Sequence, residues 1–242
     1  MIVDADLSAL EYRVAAELSR DALMIQEIMD GLDIHTANAI NLFGDAKYRQ
    51  EAKILTFRMI YGGSAYAFFM DHKMPNFSQK KWDKIVDSFY IKYARLKQWQ
   101  DENFALVNKQ GWYSAFTGRR WVFSKVKQNN GSWAYNRPST CNYVVQGVST
   151  GDIVPLCMIT LNNWLHKSGL RDVKIINQVH DSIVLDCPEH LVELVGRECV
   201  SIFERIPQLV KAYWCYDWVV PMTGEVKYGP NWGEMTKLKI NT

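Results

Sequence analysis

Residues 173–187 read VKIINQVHDSIVLDC, an apolar, β-branched run broken once by the polar pair His180-Asp181. Alternation on both sides of a two-residue break predicts strand, tight turn, strand, with Asp181 carried at the turn. Residues 2–6, IVDAD, form a second short β-branched run, which also ends on a carboxylate, Asp6. Carboxylates at strand ends of one sheet can converge on a shared divalent cation, although a single Asp at a turn is often only a turn residue. A further strand is predicted over 219–226.

Working outward, helical spacing covers 7–18, 23–29, 33–43, 47–61, 78–108, 142–165 and 190–206. Asp33 and Ser78 are candidate N-caps, Gly44 and Gly62-Gly63 are stops, and Pro155 predicts a bend. Residues 111–126 predict a hairpin turning at Thr117-Gly118.

The chain has 242 residues, 28 Lys+Arg against 26 Asp+Glu, and 48% hydrophobic residues, values that exclude wholesale disorder. Charges interrupt every apolar run short of the roughly 18 residues a membrane helix needs, so no span is expected. The first residues, MIVDADLSALEYR, place acids where a signal peptide is basic and then apolar. Cys141, Cys157, Cys187, Cys199 and Cys215 are odd in number and contain no CxxC pair. That argues against a disulfide framework and a structural zinc site, and for a reducing compartment, the cytoplasm.

Charge is uneven along the chain. Residues 103–151 hold no acid, six basic residues (Lys109, Arg119, Arg120, Lys125, Lys127, Arg137) and nine aromatics. Such a stretch suits a polyanion whose bases or sugars also need contact, or else a solvated loop beside a hairpin. Arg49, Lys53, Phe57 and Tyr61 recur every four residues, so they share one face of one helix. The cationic end suits a polyphosphate and the aromatic end a base or sugar. An amphipathic helix with snorkelling cations would show the same pattern. His35 precedes a helix and suits a phosphate or a cap. His180 adjoins Asp181.

Together these segments resemble the polymerase region of family A DNA polymerases. DADLSALEYR at 4–13 resembles the family's first palm motif through Asp6, Ser8, Glu11 and Arg13. RQEAKILTFRMIYG at 49–62 resembles its fingers helix, and QVHDS at 178–182 its third motif. DIHTAN, TGRR, NYVVQG and the Asn231-Trp232 tail fit in the family's order. The resemblance covers essentially the whole chain.

The resemblance implies an α+β fold. It has an antiparallel palm sheet from 1–18 and 134–242 and a mostly helical fingers subdomain from 19–133. It implies DNA-templated addition of dNTPs to a primer 3′-hydroxyl. Two Mg²⁺ ions, with Mn²⁺ as a substitute, would be held by Asp6, Asp181 and the carbonyl of Leu7. Arg49 and His35 would meet the outer phosphates. Lys53 would meet the phosphate nearest the reaction and protonate the leaving pyrophosphate. Phe57 would pack on the sugar, Tyr61 would lie by the templating position, and Glu11 would block a 2′-hydroxyl. Arg13, Asn142, Gln146, His180, Arg119 and Arg120 would contact DNA. Where the family usually carries Glu after the third-motif Asp, this chain has Ser182. The alternatives are the palm of a single-subunit RNA polymerase and a non-catalytic DNA-binding subunit. The family's thumb, first palm strands and exonuclease domain precede the first motif. With Met1 read as a genuine start, they are expected on a second polypeptide that completes a split enzyme.

Overall fold

The computed structural model describes residues 1–128 and 131–240. In chain order the elements are β1 (Ile2–Leu7), α1 (Leu10–Ser19), α2 (Ala22–Met29), α3 (Ile34–Asn38), α4 (Arg49–Ile60), α5 (Ala65–Phe69), α6 (Gln79–Lys92) and α7 (Ala94–Gln110). Then follow β2 (Trp112–Ser114), β3 (Arg120–Val122), β4 (Val126–Lys127), β5 (Trp133–Ala134), α8 (Arg137–Val148) and α9 (Val154–Lys167). The chain closes with β6 (Lys174–Val179), β7 (Ser182–Asp186), α10 (Val192–Glu204), α11 (Ile206–Trp214), β8 (Gly224–Gly229) and β9 (Thr236–Lys237). Two compact units result: Met1–Leu10 with Gly147–Thr242, and Glu11–Gln146. These divisions fall after residues 10 and 146, where the sequence reading placed boundaries after 18 and 133.

The first unit is an antiparallel sheet backed by helices. Its strand order is β6-β7-β1-β8-β9. Alternation along β1 buries Val3, Ala5 and Leu7 with Ile183, Leu185 and Val226, while Asp4 and Asp6 point to the other face. Helix α10 packs on β1 and β8, and α9 packs on β7. The last long strand begins at Gly224, not near 219. Pro221 has no amide to give a ladder, and Trp218 instead donates its Nε1–H to the Val220 carbonyl at 2.7 Å. The helix expected over 190–206 is α10, and a further helix, α11, begins where it ends. Pro207 opens α11 and cannot continue the hydrogen bonds of α10.

The absence of a membrane-length apolar helix is corrected by the structure. The helical tract Arg137–Lys167 is long and apolar enough by composition, with a mean hydropathy of 1.5 in its best window. Half of that window is buried inside the protein, through residues such as Val144, Val148, Leu156 and Leu161, as in a core helix.

The second unit is mostly helical. Its core holds Tyr12, Met24, Leu55, Met59, Phe68, Trp82, Phe89 and Tyr93. The single helix expected over 78–108 breaks at Tyr93, where φ is −111° and ψ 61°. A buried acid from elsewhere makes the break affordable in hydrogen bonds. Asp21 accepts from the amides of Arg95 and Leu96, both at 3.1 Å, and so caps the new helix start. Tyr93 turns its hydroxyl onto buried Glu27 at 2.8 Å. Glu27 also accepts from Tyr12 at 3.1 Å and pairs with Lys92 at 2.7 Å. Lys92 donates to Asn38, and Asn38 donates to Thr56 of α4. One buried polar network thus ties α1, α2, α3, α4 and α6 together. Glu27→Leu would take the carboxylate away from a largely buried ammonium and two phenols, leaving Lys92 and Tyr93 to share Asn38, so a loss of about 3–5 kcal/mol is expected. Urea unfolding measures it, and a loss under about 1 kcal/mol would show the network to be dispensable.

Candidate active site

The sheet unit carries the carboxylates. Asp6 stands directly opposite Ser182 on β7 and Glu225 on β8. Val179 pairs with Ser182, so His180 and Asp181 are the whole turn between β6 and β7. Tight hairpins of this kind need a residue at positive φ, and His180 supplies it at 52°. That conformation costs a non-glycine residue about 1 kcal/mol or more. Gln178 braces the turn, donating to the carbonyls of Thr150 at 3.0 Å and His180 at 3.2 Å. The Leu7 amide donates to the Asp181 carbonyl at 3.1 Å, which fixes the turn to the end of β1 and sets Asp181 beside Asp6.

Two carboxylates placed this way repel. Burial, then the charge of Asp181, then those of Asp4 and Glu225 push the Asp6 carboxyl up to about 6, against a smaller opposing pull from Lys227. Ser182 adds no charge; it is buried, and its hydroxyl donates to the Val179 carbonyl at 3.2 Å. Gly224 is required where β8 meets Asp6, because a Cβ there would run into the Asp6 carbonyl and the Phe203 ring. Among the described residues no cluster of three or more His, Cys, Asp or Glu could by itself hold a metal ion. Two hard carboxylates and a backbone carbonyl, with ligands left for water and substrate, fit Mg²⁺, which is seldom fully caged by protein. A carboxyl whose ionisation is held back by its neighbours is itself a site short of positive charge.

The helical unit carries the cations. Asp33 caps α3 through the amides of His35 and Thr36. The same carboxylate takes Arg49 from α4 on both oxygens, with Nε at 2.8 Å and Nη2 at 3.2 Å. The guanidinium holds the Asp33 carboxyl well below the usual range. This pair joins the first turns of α3 and α4. It escaped the sequence reading, which saw Asp33 only as a cap; a bidentate partner 16 residues away leaves no local pattern. The His35 ring lies 5.8 Å from the ring of Phe57. Burial, then Lys53 and Arg49, lower the His35 pKa, so the imidazole is neutral at pH 7. His35 Nδ1 is buried without a hydrogen-bond partner among the described residues. His35, Arg49, Lys53 and Phe57 are therefore brought together.

Tyr61 ends α4 and donates its hydroxyl to the Glu11 carboxylate in a short hydrogen bond. Two candidate residues read from separate motifs are thus joined directly. The remaining candidates of this unit lie elsewhere on it. Arg13 is half-buried on α1, and burial lowers its pKa. Asn142 and Gln146 lie one turn apart on α8. Arg119 and Arg120 are exposed at the β2–β3 hairpin, which turns at Thr117-Gly118 as its sequence predicts. The Arg120 guanidinium lies over the Trp112 ring at 4.1 Å.

A family model described as DNA polymerase family A matches residues 1–234. DNA polymerase I of Chloroflexus aurantiacus is 28% identical over 244 residues, covering 98% of this chain and 24% of that protein. DNA polymerase I of Pseudomonas aeruginosa is 30% identical over 240 residues, covering 96% of this chain and 25% of that protein. The POL domain of Pol1 from M. smegmatis, solved in complex with DNA primer-template and dNTP, has a TM-score of 0.78 at 24% identity. It covers 96% of this chain and 40% of that one, and the likeness is one of fold. The chain spans about a quarter of the length of the curated relatives it matches.

Proposed function

The chain belongs to DNA polymerase family A, and from that premise we propose that it supplies the palm and fingers of a DNA-templated DNA polymerase that adds dNTPs to a primer 3′-hydroxyl. The observation that carries this reading is the hydrogen bond from Leu7 to Asp181, which sets two carboxylates at adjoining strand ends. Asp6, Asp181 and the Leu7 carbonyl would hold two Mg²⁺ ions, or Mn²⁺ in their place. Bound there, the ions supply positive charge for bringing an anionic triphosphate to a hydroxyl.

The chain's own residues do the rest. Arg49 and neutral His35 bind the outer phosphates, the guanidinium by paired hydrogen bonds and the imidazole by one. Lys53, one turn along α4, meets the phosphate nearest the reaction, where negative charge grows as the pyrophosphate leaves, and it can give that group a proton. Phe57 packs on the sugar. The hydroxyl of Tyr61 holds Glu11, and Glu11 in turn excludes a 2′-hydroxyl. Arg13, Asn142, Gln146, His180, Arg119 and Arg120 contact the DNA, chiefly through its backbone.

The relatives are about four times as long. On this reading a thumb and further palm strands, not among these 242 residues, complete the enzyme. The test is primer extension by this chain alone and mixed with the other replication proteins of its source. Extension that appears only in the mixture, with dNTPs and not NTPs, is expected. Glu11→Ala is expected to ease ribonucleotide insertion by about tenfold or more, the value of roughly one lost exclusion contact. Unchanged sugar selectivity would remove Glu11 from that role, and preference for NTPs would favour an RNA polymerase.

A further inference from the structure

Strands β8 and β9 bring two lysines to the face that carries the carboxylates. Lys227 stands opposite Asp4 of β1 on one side and opposite Lys237 of β9 on the other. Residues opposite one another in an antiparallel ladder share a face, as do residues two apart on one strand. Asp4, Asp6, Glu225, Lys227 and Lys237 therefore share a face. Lysines directly opposed repel, so the pair needs an anion close by. Glu225 is that anion: Lys237 reaches one of its oxygens at 2.5 Å and Lys227 the other at 3.5 Å. The hydrogen bond from Lys237, and then the charges of both lysines, pull the Glu225 carboxyl below its ordinary range against the opposing effect of burial.

Three carboxylates share this face with two ammonium groups. Lys237 holds Glu225 at the shorter distance, so Lys227 is the cation left to face Asp4 and Asp6. Asp4 Oδ1 is buried with no hydrogen-bond partner among the described residues. Glu225, held by two lysines, is occupied, which leaves Asp6 and Asp181 for an ion. A protonated lysine coordinates no metal, and a fixed ammonium beside a cation site acts on the ion only by repulsion.

We propose that Lys227 is a positioning residue that weakens divalent-cation binding at the carboxylate face. It holds Asp4, Asp6 and Glu225 against one another while no ion is present. It keeps ion binding loose until the phosphates of a nucleotide bring further ligands. Ion occupancy is thereby coupled to nucleotide occupancy. The proposal rests on the reading of Asp6 and Asp181 as the ion's carboxylates.

The test is titration of the full 242-residue chain with Mn²⁺, followed by the electron paramagnetic resonance signal of the free ion. Lys227→Gln is expected to tighten the Asp6-dependent site about five- to tenfold, the order expected for one charge acting on a divalent ion across several ångströms of half-wet surface. Lys227→Arg, which keeps the charge, is expected to restore wild-type affinity. Lys80→Gln, an equal change in net charge on α6 of the helical unit, is expected to change nothing. The Lys227 side chain is 51% exposed, so the substitutions leave the fold intact, and a thermal melt of each variant checks this. Affinity of Lys227→Gln within twofold of wild type, or weaker, would overturn the proposal, provided Asp6→Asn abolishes the site. Mn²⁺ binding unaffected by Asp6→Asn would overturn the carboxylate reading and this proposal with it.

Discussion

On the proposed reading, Asp6→Asn or Asp181→Asn is expected to lower primer extension by about a thousandfold or more in the complete enzyme, because each would remove a charge that holds the ions. The same Asp6 substitution is expected to stabilise the metal-free chain slightly. The Asp6 carboxyl is raised to about 6 by burial and by Asp181. A group raised in this way adds stability below its unfolded value near 4, and that stability is lost as pH rises through about 6. At pH 7 the metal-free fold therefore bears a buried like-charge contact that Asn relieves. Higher melting temperature with lost activity separates chemistry from misfolding. In the wild type, added Mn²⁺ is expected to raise the melting temperature more at pH 7 than at pH 5, since protons compete with the ion at Asp6. Near wild-type extension by either variant, or equal Mn²⁺ stabilisation at both pH values, would defeat the assignment.

Phe57→Tyr is expected to change sugar discrimination by about a hundredfold or more. On the proposed reading, a dideoxynucleotide lacks the 3′-hydroxyl whose interactions help align the triphosphate. With Phe57 nothing on the protein replaces it, so wild type is expected to discriminate strongly. A tyrosine hydroxyl can supply the missing hydrogen bond, and a site with a well-placed polar partner discriminates far more sharply than an apolar one. The substitution adds one oxygen to a half-buried ring on a helix whose packing rests on Leu55, Met59 and Ile60, so the fold is expected to be unchanged. The measure is the ratio of kcat/KM for a dNTP and its dideoxy analogue. Equal ratios for the two proteins would remove Phe57 from the sugar.

Residues close in sequence were legible because covalent geometry sets their relation. The four-residue steps of Arg49, Lys53, Phe57 and Tyr61 put them on one face of α4 wherever that helix packs. The apolar alternation around His180-Asp181 required a hairpin with Asp181 at its turn. Asp33 as a cap and Gly44 at φ 86° as a stop follow from local backbone needs. The extents of 78–108 and 219–226 were not legible. A capping acid at Asp21 and a side chain satisfied elsewhere at Trp218 each overrode local propensity.

What only the tertiary structure decided is which distant groups face one another. Asp6 and Asp181 meet because β1 pairs with β7 and the Leu7 amide finds the Asp181 carbonyl. Glu11 meets Tyr61, Asp33 meets Arg49, and Lys227 comes to lie opposite Asp4. None of these pairs has a periodicity that joins its members. Their register is chosen by the burial of Val3, Ala5 and Leu7 on one face of the sheet and of Leu55 and Met59 on one side of α4. A slip of one residue in β1 would bury Asp4 and Asp6 and expose that core, so apolar burial, summed over the whole unit, is what aims the charged groups.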